Sequence, residues 1–212
     1  MKSLILITSV IKCKADQSVF SNEERLAQTI KSIESVKNYL DNSYVVLIEG
    51  GETLTDEEEN SLAEAGCDHI IRSTNVTYWH KSAGELTLLK SFFSSSSFAE
   101  LREQDFTHFG KLSGRYELTE NLDVSKDLCT IKTTTEGTWS GKGICETRFY
   151  FSPVEYLNRY IEVINKILTK GIFVDIEHSF YMYEVFPFEK TYSPSVLGVT
   201  GFLSPTGEKI ND

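Results

Sequence analysis

The chain has 212 residues, of which 40% are hydrophobic and 12% aromatic, so it can bury a sizeable core and is not globally disordered. Its 21 basic and 31 acidic residues give a net charge of −10, which argues against a nucleic-acid binder that works through bulk electrostatics. Any anionic ligand must therefore be held by a few placed cations. No apolar run approaches the roughly 18 residues of a membrane span, so none is expected.

The N-terminus and the cysteines indicate where the protein works. The apolar start of the chain is broken by Thr8 and Ser9 and lacks a small-residue cleavage site, so we interpret it as a buried strand and not as a signal peptide. The four cysteines show no Cys-x-x-Cys spacing and no histidines at zinc-ligand distance. We therefore expect reduced thiols in a cytoplasmic protein, or in the host cytoplasm if the protein is viral.

Strands and helices alternate along the first half of the chain. β-branched apolar runs predict strands at residues 4–11, 44–48 and 67–71. Capping boxes at Ser21 with Glu24 and at Thr55 with Glu58 predict the helices between these strands. This alternation predicts a parallel sheet with helices packed on its faces.

The second half continues the pattern less regularly. We expect a helix over residues 81–93, a loop at serines 94–97 and a strand over 106–112. Further strands are expected at 128–134 and 146–151, and the tail from Pro187 is rich in turn residues. Ser152, Pro153 and Glu155 predict the start of a helix that Gly171 ends, and Asp175 opens another. The prediction is one α/β domain over residues 1–212 with a mostly parallel mixed central sheet flanked by helices. Such a domain can stand alone or be the N-terminal part of a longer chain.

The ends of the predicted strands identify candidate binding residues, because ligands of open parallel sheets sit outside the carboxyl ends of the strands. The candidates are Thr8, Ser9 and Val10 after the first strand, Glu49 after the second, and Lys111, Ser113, Arg115 and Tyr116 at the fourth. A carboxylate at Glu49 could accept ribose hydroxyls or a base N–H, or it could be a solvated turn residue.

Several common motifs are absent. No Gly-x-Gly-x-x-Gly follows the first strand, and the chain has no phosphate loop and no Gly-x-Ser-x-Gly elbow, which counts against a dinucleotide oxidoreductase, a P-loop nucleotidase and a hydrolase. Arg25 lies one turn into the first helix. It could reach a phosphate or base, or form a salt bridge with Glu23 and Glu24 on the helix face.

Three segments in order along the chain carry a resemblance. They are Thr8-Ser9-Val10-Ile11 with the following 18–29, Lys81-Ser82-Ala83-Gly84-Glu85, and Lys111-Leu112-Ser113-Gly114-Arg115-Tyr116. Together they resemble small GT-A-type glycosyltransferases, including the N-terminal glycosyltransferase domains of capsid-glycosylating proteins of chlorella viruses. The resemblance spans about residues 4 to 185.

The resemblance implies a GT-A-like, Rossmann-related fold that uses a nucleotide-sugar donor, usually UDP-linked, and Mn²⁺ or Mg²⁺ on its diphosphate. Lys81 joins the strand-end residues as an implied donor contact. Members of this family hold the metal with an Asp-x-Asp at the end of the fourth strand, where this chain has Ser113-Gly114-Arg115. Either the metal site is built from other groups, or Arg115 and Lys111 neutralise the diphosphate. The metal ligands are therefore unknown.

Asp175 and Glu177 are the candidate catalytic carboxylates. In the resembling enzymes an acidic residue at the head of a late helix is the base for inverting transfer, taking the proton of the acceptor hydroxyl. The alternative is that both acids cap the helix. His178 could bind substrate or be structural.

Trp139 and Trp79 are candidate substrate contacts. Trp139 lies in a glycine-rich loop and could stack on an acceptor sugar or pack in the core, and Trp79 could line the donor pocket.

The expected activity is transfer of a hexose or deoxyhexose to a glycan or glycoprotein hydroxyl. A nucleotidyltransferase and a non-catalytic carbohydrate-binding domain are the alternatives. The absent Asp-x-Asp leaves the second of these open.

Overall fold

The computed structural model describes residues 1–13, 18–73, 81–135, 143–172, 175–203 and 205–212. The strands are β1 Ser3–Ser9, β2 Ser43–Glu49, β3 His69–Arg72, β4 His108–Ser113, β5 Tyr116–Leu118, β6 Cys129–Thr134, β7 Ile144–Pro153, β8 Thr191–Tyr192, β9 Val199–Phe202 and β10 Lys209–Asn211. The helices are α1 Asn22–Tyr39, α2 Asp56–Glu64, α3 Lys81–Phe93, α4 Ser96–Arg102, α5 Leu157–Lys170 and α6 Ile176–Met182.

A seven-stranded sheet in the order β3-β2-β1-β4-β7-β6-β8 forms the centre of the described structure. Strands β1 to β4 are parallel, and β7 runs antiparallel to β4 and β6, so the mixed, mostly parallel α/β sheet predicted from the sequence is confirmed. The chain adds β2 and β3 on one side of β1 and then places β4 on the other. The strand order therefore reverses between β1 and β4, and such a switch point is where open sheets bind ligands.

Helices cover both faces of this sheet. One apolar layer joins residues of α3, α4, α5 and α6 to the sheet, and its members include Leu89, Phe92 and Ile164. The opposite layer joins α1 and α2 with the small sheet β10-β9-β5, through residues such as Val36, Leu62 and Val199. The central sheet is buried between the two layers, which leaves its carboxyl edge as the place where polar groups converge.

The capping boxes predicted at Ser21 and Thr55 are both present, and Asp175 caps α6 as expected. The capping box predicted at Ser152 is wrong. β7 continues through Pro153, a 3₁₀ turn follows, and α5 begins at Leu157. Ser152 is fully buried, and its hydroxyl lies 3.1 Å from Cys129 Sγ on β6, so strand packing takes the group that a cap would use.

Two further segments differ from expectation. The loop predicted at serines 94–97 is shorter than expected, because Ser95 caps α4 by accepting from the Phe98 N–H. The turn-rich tail carries β8, β9 and β10, of which β9 pairs with β5 and β10. None of the helices in the described ranges is long and apolar enough to cross a membrane.

Candidate functional site

The carboxyl ends of β1, β2 and β4 lie side by side. Ser9 is in register with Glu49 on β2, and Thr8 is in register with Ser113 on β4. The Gly114 N–H donates to the Thr8 carbonyl at 2.9 Å, which continues the contact of β1 with β4 into the turn that follows. The predicted strand-end candidates are thereby brought together at the switch point.

Helix α1 is held at this edge by hydrogen bonds among Ser9, Thr29 and Gly114. The Ser9 and Thr29 hydroxyls lie 3.0 Å apart, and Thr29 also donates to the Gly114 carbonyl at 3.2 Å. A Cβ at position 114 would lie 3.0 Å from the Ser9 Cβ and 3.2 Å from the Thr8 carbonyl. Glycine therefore allows the turn after β4 to approach β1 closely, and the Ser9 hydroxyl serves this packing.

Arg25 is buried at the same edge. Its Nε donates to the Val10 carbonyl at 2.5 Å and its Nη1 donates to Ser18 Oγ at 3.1 Å. The ion pairs between described residues do not include one of Arg25 with Glu23 or Glu24, which was the alternative to a ligand contact. Burial lowers the pKa of Arg25, and the positive charge of Arg115 lowers it further, while the nearby charge of Glu49 raises it. Arg25 is thus a fixed cation directly behind the loop that follows β1.

Arg115 and Lys81 complete a group of three positive charges, which we call the cationic cluster (Arg25, Lys81 and Arg115). Arg115 follows Gly114 in the turn after β4, and Lys81 is the first residue of α3. Partial burial lowers the pKa of Lys81, and the charges of Arg115 and Arg25 lower it further. The three cations therefore lie close enough to repel one another, in a chain whose net charge is −10.

Glu49 lies beside this cluster and is only 2% exposed, so it is not a solvated turn residue. Its Oε1 accepts from the Ile11 N–H at 2.9 Å and from the Gly51 N–H at 2.7 Å, and these bonds hold the loops after β1 and β2 together. Its Oε2 has no hydrogen-bond partner among the described residues. Burial raises the pKa of Glu49 although both N–H bonds and Arg25 lower it.

Lys111 is fully buried and is used within the protein. Its ammonium forms an ion pair with Glu85 on α3 and donates to Ser113 Oγ at 2.7 Å and to the Thr147 carbonyl at 2.8 Å. Each of the three N–H groups of the ammonium therefore has a partner within the protein. The structure places Lys111 and Ser113 beneath the site, where they support it, and leaves no N–H of Lys111 for a diphosphate.

Thr147, in an irregular part of β7, links Glu177 on α6 to the same region. Ile131 of β6 pairs with Tyr150 and Thr133 pairs with Cys145, so residues 146–149 of β7 stand opposite the single residue 132. Such bulges re-aim side chains. Here the Thr147 hydroxyl donates to Glu177 Oε1 at 2.6 Å while the Thr147 carbonyl accepts from Lys111. Burial raises the pKa of Glu177, and the Thr147 bond lowers it in part.

The two candidate carboxylates have different surroundings. Asp175 Oδ1 accepts from the His178 N–H at 2.8 Å and lies 2.8 Å from His178 Nδ1, so Asp175 is the helix cap and the partner of this histidine. His178 is 3% exposed. Asp175, predicted to be catalytic, and His178, predicted to bind substrate, are therefore engaged with each other. Among the described side chains, Glu177 is bonded to Thr147.

Three other sequence candidates need to be placed. Tyr116 is buried in β5, and the Arg115 guanidinium lies 5.9 Å from its ring centroid, so Tyr116 supports Arg115. Trp79 and Trp139 lie outside the described residues.

Sequence reasoning gave no role to Glu85 or Thr147. Glu85 stands in the quoted Lys81–Glu85 segment, which is a signal that could have found it, whereas nothing in the sequence marks Thr147.

Comparison with protein-family profiles and with curated protein sequences finds no match. Solved structures do match. The glycosyltransferase GlyE of Streptococcus pneumoniae TIGR4 superposes with a TM-score of 0.51 at 12% identity, over 92% of this chain and 45% of that one. The mannosyltransferase Ktr4p of S. cerevisiae, in complex with GDP, gives 0.52 at 8% identity, over 86% and 66%.

A glycosyltransferase involved in glycosylation of the major capsid of PBCV-1 gives a TM-score of 0.49 at 12% identity, over 93% of this chain and 84% of that one. This chain covers 45% of the length of GlyE and 66% of that of Ktr4p, which is less than two thirds of each. The first two likenesses bear on the fold alone, and they confirm the architecture that the sequence predicts. The chain has the fold that these two structures share.

Proposed function

We propose that this chain is a glycosyltransferase that moves a sugar from a nucleotide-sugar donor to a hydroxyl of a glycan or glycoprotein. The observation that carries the proposal is the convergence of the cationic cluster and Glu49 at the β1/β4 switch point of a glycosyltransferase fold. A nucleoside diphosphate is a ligand that needs both: positive charge for its phosphates, and an acceptor for its ribose or base.

The donor is proposed to be a UDP-linked hexose or deoxyhexose. Glu49 Oε2, buried and without a partner among the described residues, is suited to accept a ribose hydroxyl or a base N–H. Arg115 and Lys81 are suited to the diphosphate, since guanidinium and ammonium groups form charge-assisted bonds with phosphate oxygens. Thr8 and Ser9 end β1, and Val10 begins the loop to which Arg25 is bonded.

Glu177 is proposed as the general base of an inverting transfer. The acceptor oxygen forms a bond to the anomeric carbon, its proton passes to the Glu177 carboxylate, and the bond to the nucleoside diphosphate breaks on the opposite face. A carboxyl group whose pKa is raised by burial accepts a proton more readily near neutral pH than an exposed one. Thr147 orients the carboxylate by donating to Oε1.

The resemblance also predicts Mn²⁺ or Mg²⁺, and the described residues do not fit such an ion. No group of three histidine, cysteine or acidic side chains in the described ranges could hold a metal. At the end of β4, where the resembling enzymes carry two aspartates, this chain has Ser113, which accepts from Lys111, and the cation Arg115. No step of the proposed transfer is therefore assigned to a metal.

The direct test is donor binding followed by turnover. Thermal unfolding is measured with UDP-glucose, UDP-galactose, UDP-xylose and GDP-mannose, because a ligand bound only to the native state at 100 times its Kd stabilises it by about 2.7 kcal/mol. Release of nucleoside diphosphate from a donor that binds is then followed with water or a glycan as acceptor. Binding without release would favour a carbohydrate- or nucleotide-binding domain, and release of pyrophosphate from a nucleoside triphosphate would favour a nucleotidyltransferase.

Glu177→Gln tests the role of the base. The variant should retain the melting shift with the donor while the rate falls by a factor of about 10² to 10⁴, because only the proton acceptor is lost. Asp175→Asn, at the N-cap two residues earlier, is the matched comparison. A Glu177→Gln protein with near-normal transfer would refute the assignment.

A further inference from the structure

We propose that the cationic cluster holds the diphosphate of the donor directly, without a bridging divalent cation. This inference rests on the proposed function only in so far as the diphosphate belongs to a nucleotide sugar. The site itself is a diphosphate site at the β1/β4 switch point, and its ligand is a polyanion with closely spaced phosphates.

The cluster is built into the fold. Arg25 is held by the Val10 carbonyl and by Ser18, and one turn later the same helix contacts the Gly114 carbonyl through Thr29. Position 114 immediately precedes Arg115. Helix α1 therefore carries Arg25 and also contacts the turn that carries Arg115, so two of the three charges are placed by the same helix at the strand ends.

The charges of Arg115 and Lys81 are not neutralised within the described protein. Every ion pair found between described residues involves other side chains, and Arg115 Nε is buried without a hydrogen-bond partner. Like charges that repel one another raise the free energy of the folded state unless a ligand of opposite sign relieves the repulsion. Unfavourable local interactions of this kind, here repulsion between like charges, are characteristic of functional sites.

Three carboxylates near the site are already engaged within the protein, and another, Glu177, is the proposed base. Glu85 pairs with Lys111, Asp175 caps α6 and contacts His178, and Glu49 Oε1 accepts two backbone N–H groups. The remaining oxygen, Glu49 Oε2, belongs to a carboxylate that interacts with the Arg25 charge. Mg²⁺ is usually bound through one or two carboxylates together with substrate phosphates. Here an incoming cation would instead meet three positive side chains.

Fixed guanidinium and ammonium groups can perform the task of the ion. When the bond between the anomeric carbon and the diphosphate oxygen breaks, its electron pair stays on that oxygen, and negative charge accumulates on the phosphate. Preorganised cations at 2.7–2.9 Å, the usual length of charge-assisted bonds, stabilise such a charge without reorganisation. The sugar is then released to the acceptor while the nucleoside diphosphate remains bound to the cluster.

The test uses inorganic pyrophosphate and UDP as probes, in calorimetric titrations of the full chain in EDTA and in excess Mg²⁺. We expect both probes to bind in EDTA, and Mg²⁺ to leave the affinity unchanged or to weaken it, because the ion neutralises the ligand. Arg115→Ala and Lys81→Ala should each weaken pyrophosphate binding about tenfold to a hundredfold, the loss typical of one charge-assisted bond. Lys90→Ala, an exposed lysine in the last turn of the same helix as Lys81, is the matched control and should bind normally.

The outcomes separate this inference from the proposed function. Binding of both probes only with Mg²⁺ overturns it, and so does pyrophosphate binding in EDTA that neither variant changes. Pyrophosphate binding that needs Arg115 and Lys81, with UDP no tighter than pyrophosphate, supports the metal-free site and counts against a nucleotide donor. If Arg115→Ala does not fold, as judged by circular dichroism, Lys81→Ala decides, since Lys81 is exposed at the start of α3.

Discussion

The buried ion pair between Lys111 and Glu85 joins β4 to α3 directly beneath the proposed site, and its removal should have a large and asymmetric effect. The Lys111 side chain is fully buried, whereas 23% of the Glu85 side chain is exposed. In Glu85→Gln the ammonium stays inside with only Ser113 Oγ and the Thr147 carbonyl as acceptors. In Lys111→Met the carboxylate that remains can still be reached by water.

The expected magnitudes follow from these burials. Leaving a buried charge without its partner costs about 3–5 kcal/mol, so Glu85→Gln should lower the free energy of unfolding by that amount. For a protein of this size, about 2–4 °C of melting temperature corresponds to 1 kcal/mol, which gives a decrease of about 6–20 °C. Lys111→Met should cost less, and the double variant should be no less stable than Glu85→Gln, because neither charge then remains.

Urea unfolding of the four proteins in a double-mutant cycle measures the coupling directly. We expect a coupling energy of at least about 1 kcal/mol, in the range seen for residues in contact. Purely additive effects would refute the ion pair as a shared unit. A loss of UDP or pyrophosphate affinity of tenfold or more in folded Lys111→Met, with Arg115 intact, would show instead that Lys111 contacts the donor.

Three other predictions concern the site. Thr147→Val removes a hydrogen bond that lowers the pKa of Glu177, so the acidic limb of the pH–rate profile of donor hydrolysis should move to higher pH. Thr147→Ser should restore the profile of the wild type. A limb that does not move in Thr147→Val would show that Thr147 does not act on the base. Burial raises the folded pKa of Glu177 above its ordinary value of about 4.3. The free energy of unfolding of the wild type should therefore fall relative to that of Glu177→Gln as the pH rises from about 4.3 through the folded pKa. A difference between the two proteins that stays constant with pH, measured by urea unfolding, would contradict the burial of this carboxylate. Gly114→Ala would place a Cβ 3.0 Å from the Ser9 Cβ and should lower the free energy of unfolding by about 1–3 kcal/mol. Urea unfolding measures this cost, and an unchanged free energy would show that β1 and the turn after β4 can separate freely.

The features that the sequence determined by itself are local ones. The capping boxes at Ser21 and Thr55 and the Asp175 cap join residues three positions apart, so nothing distant in the chain needs to be known. The apolar runs of β1 and β2 and the intervening helix likewise predict a parallel sheet. Strand-end reasoning then identified Glu49, Lys111 and Arg115 because the carboxyl ends of neighbouring parallel strands meet at one edge.

The tertiary structure decided which of these side chains are engaged within the fold. Ser152 has the sequence context of a cap, yet its hydroxyl contacts Cys129 on the neighbouring strand. Lys111 follows the pattern of a phosphate contact, yet Glu85, on a helix 26 positions earlier, takes its charge. Such choices depend on which side chains meet across the sheet, and residues far apart in sequence leave no periodic or motif signal of their contact. For the same reason, only the folded chain brings Arg25, Lys81 and Arg115 to the edge of the sheet at which we propose an anion site.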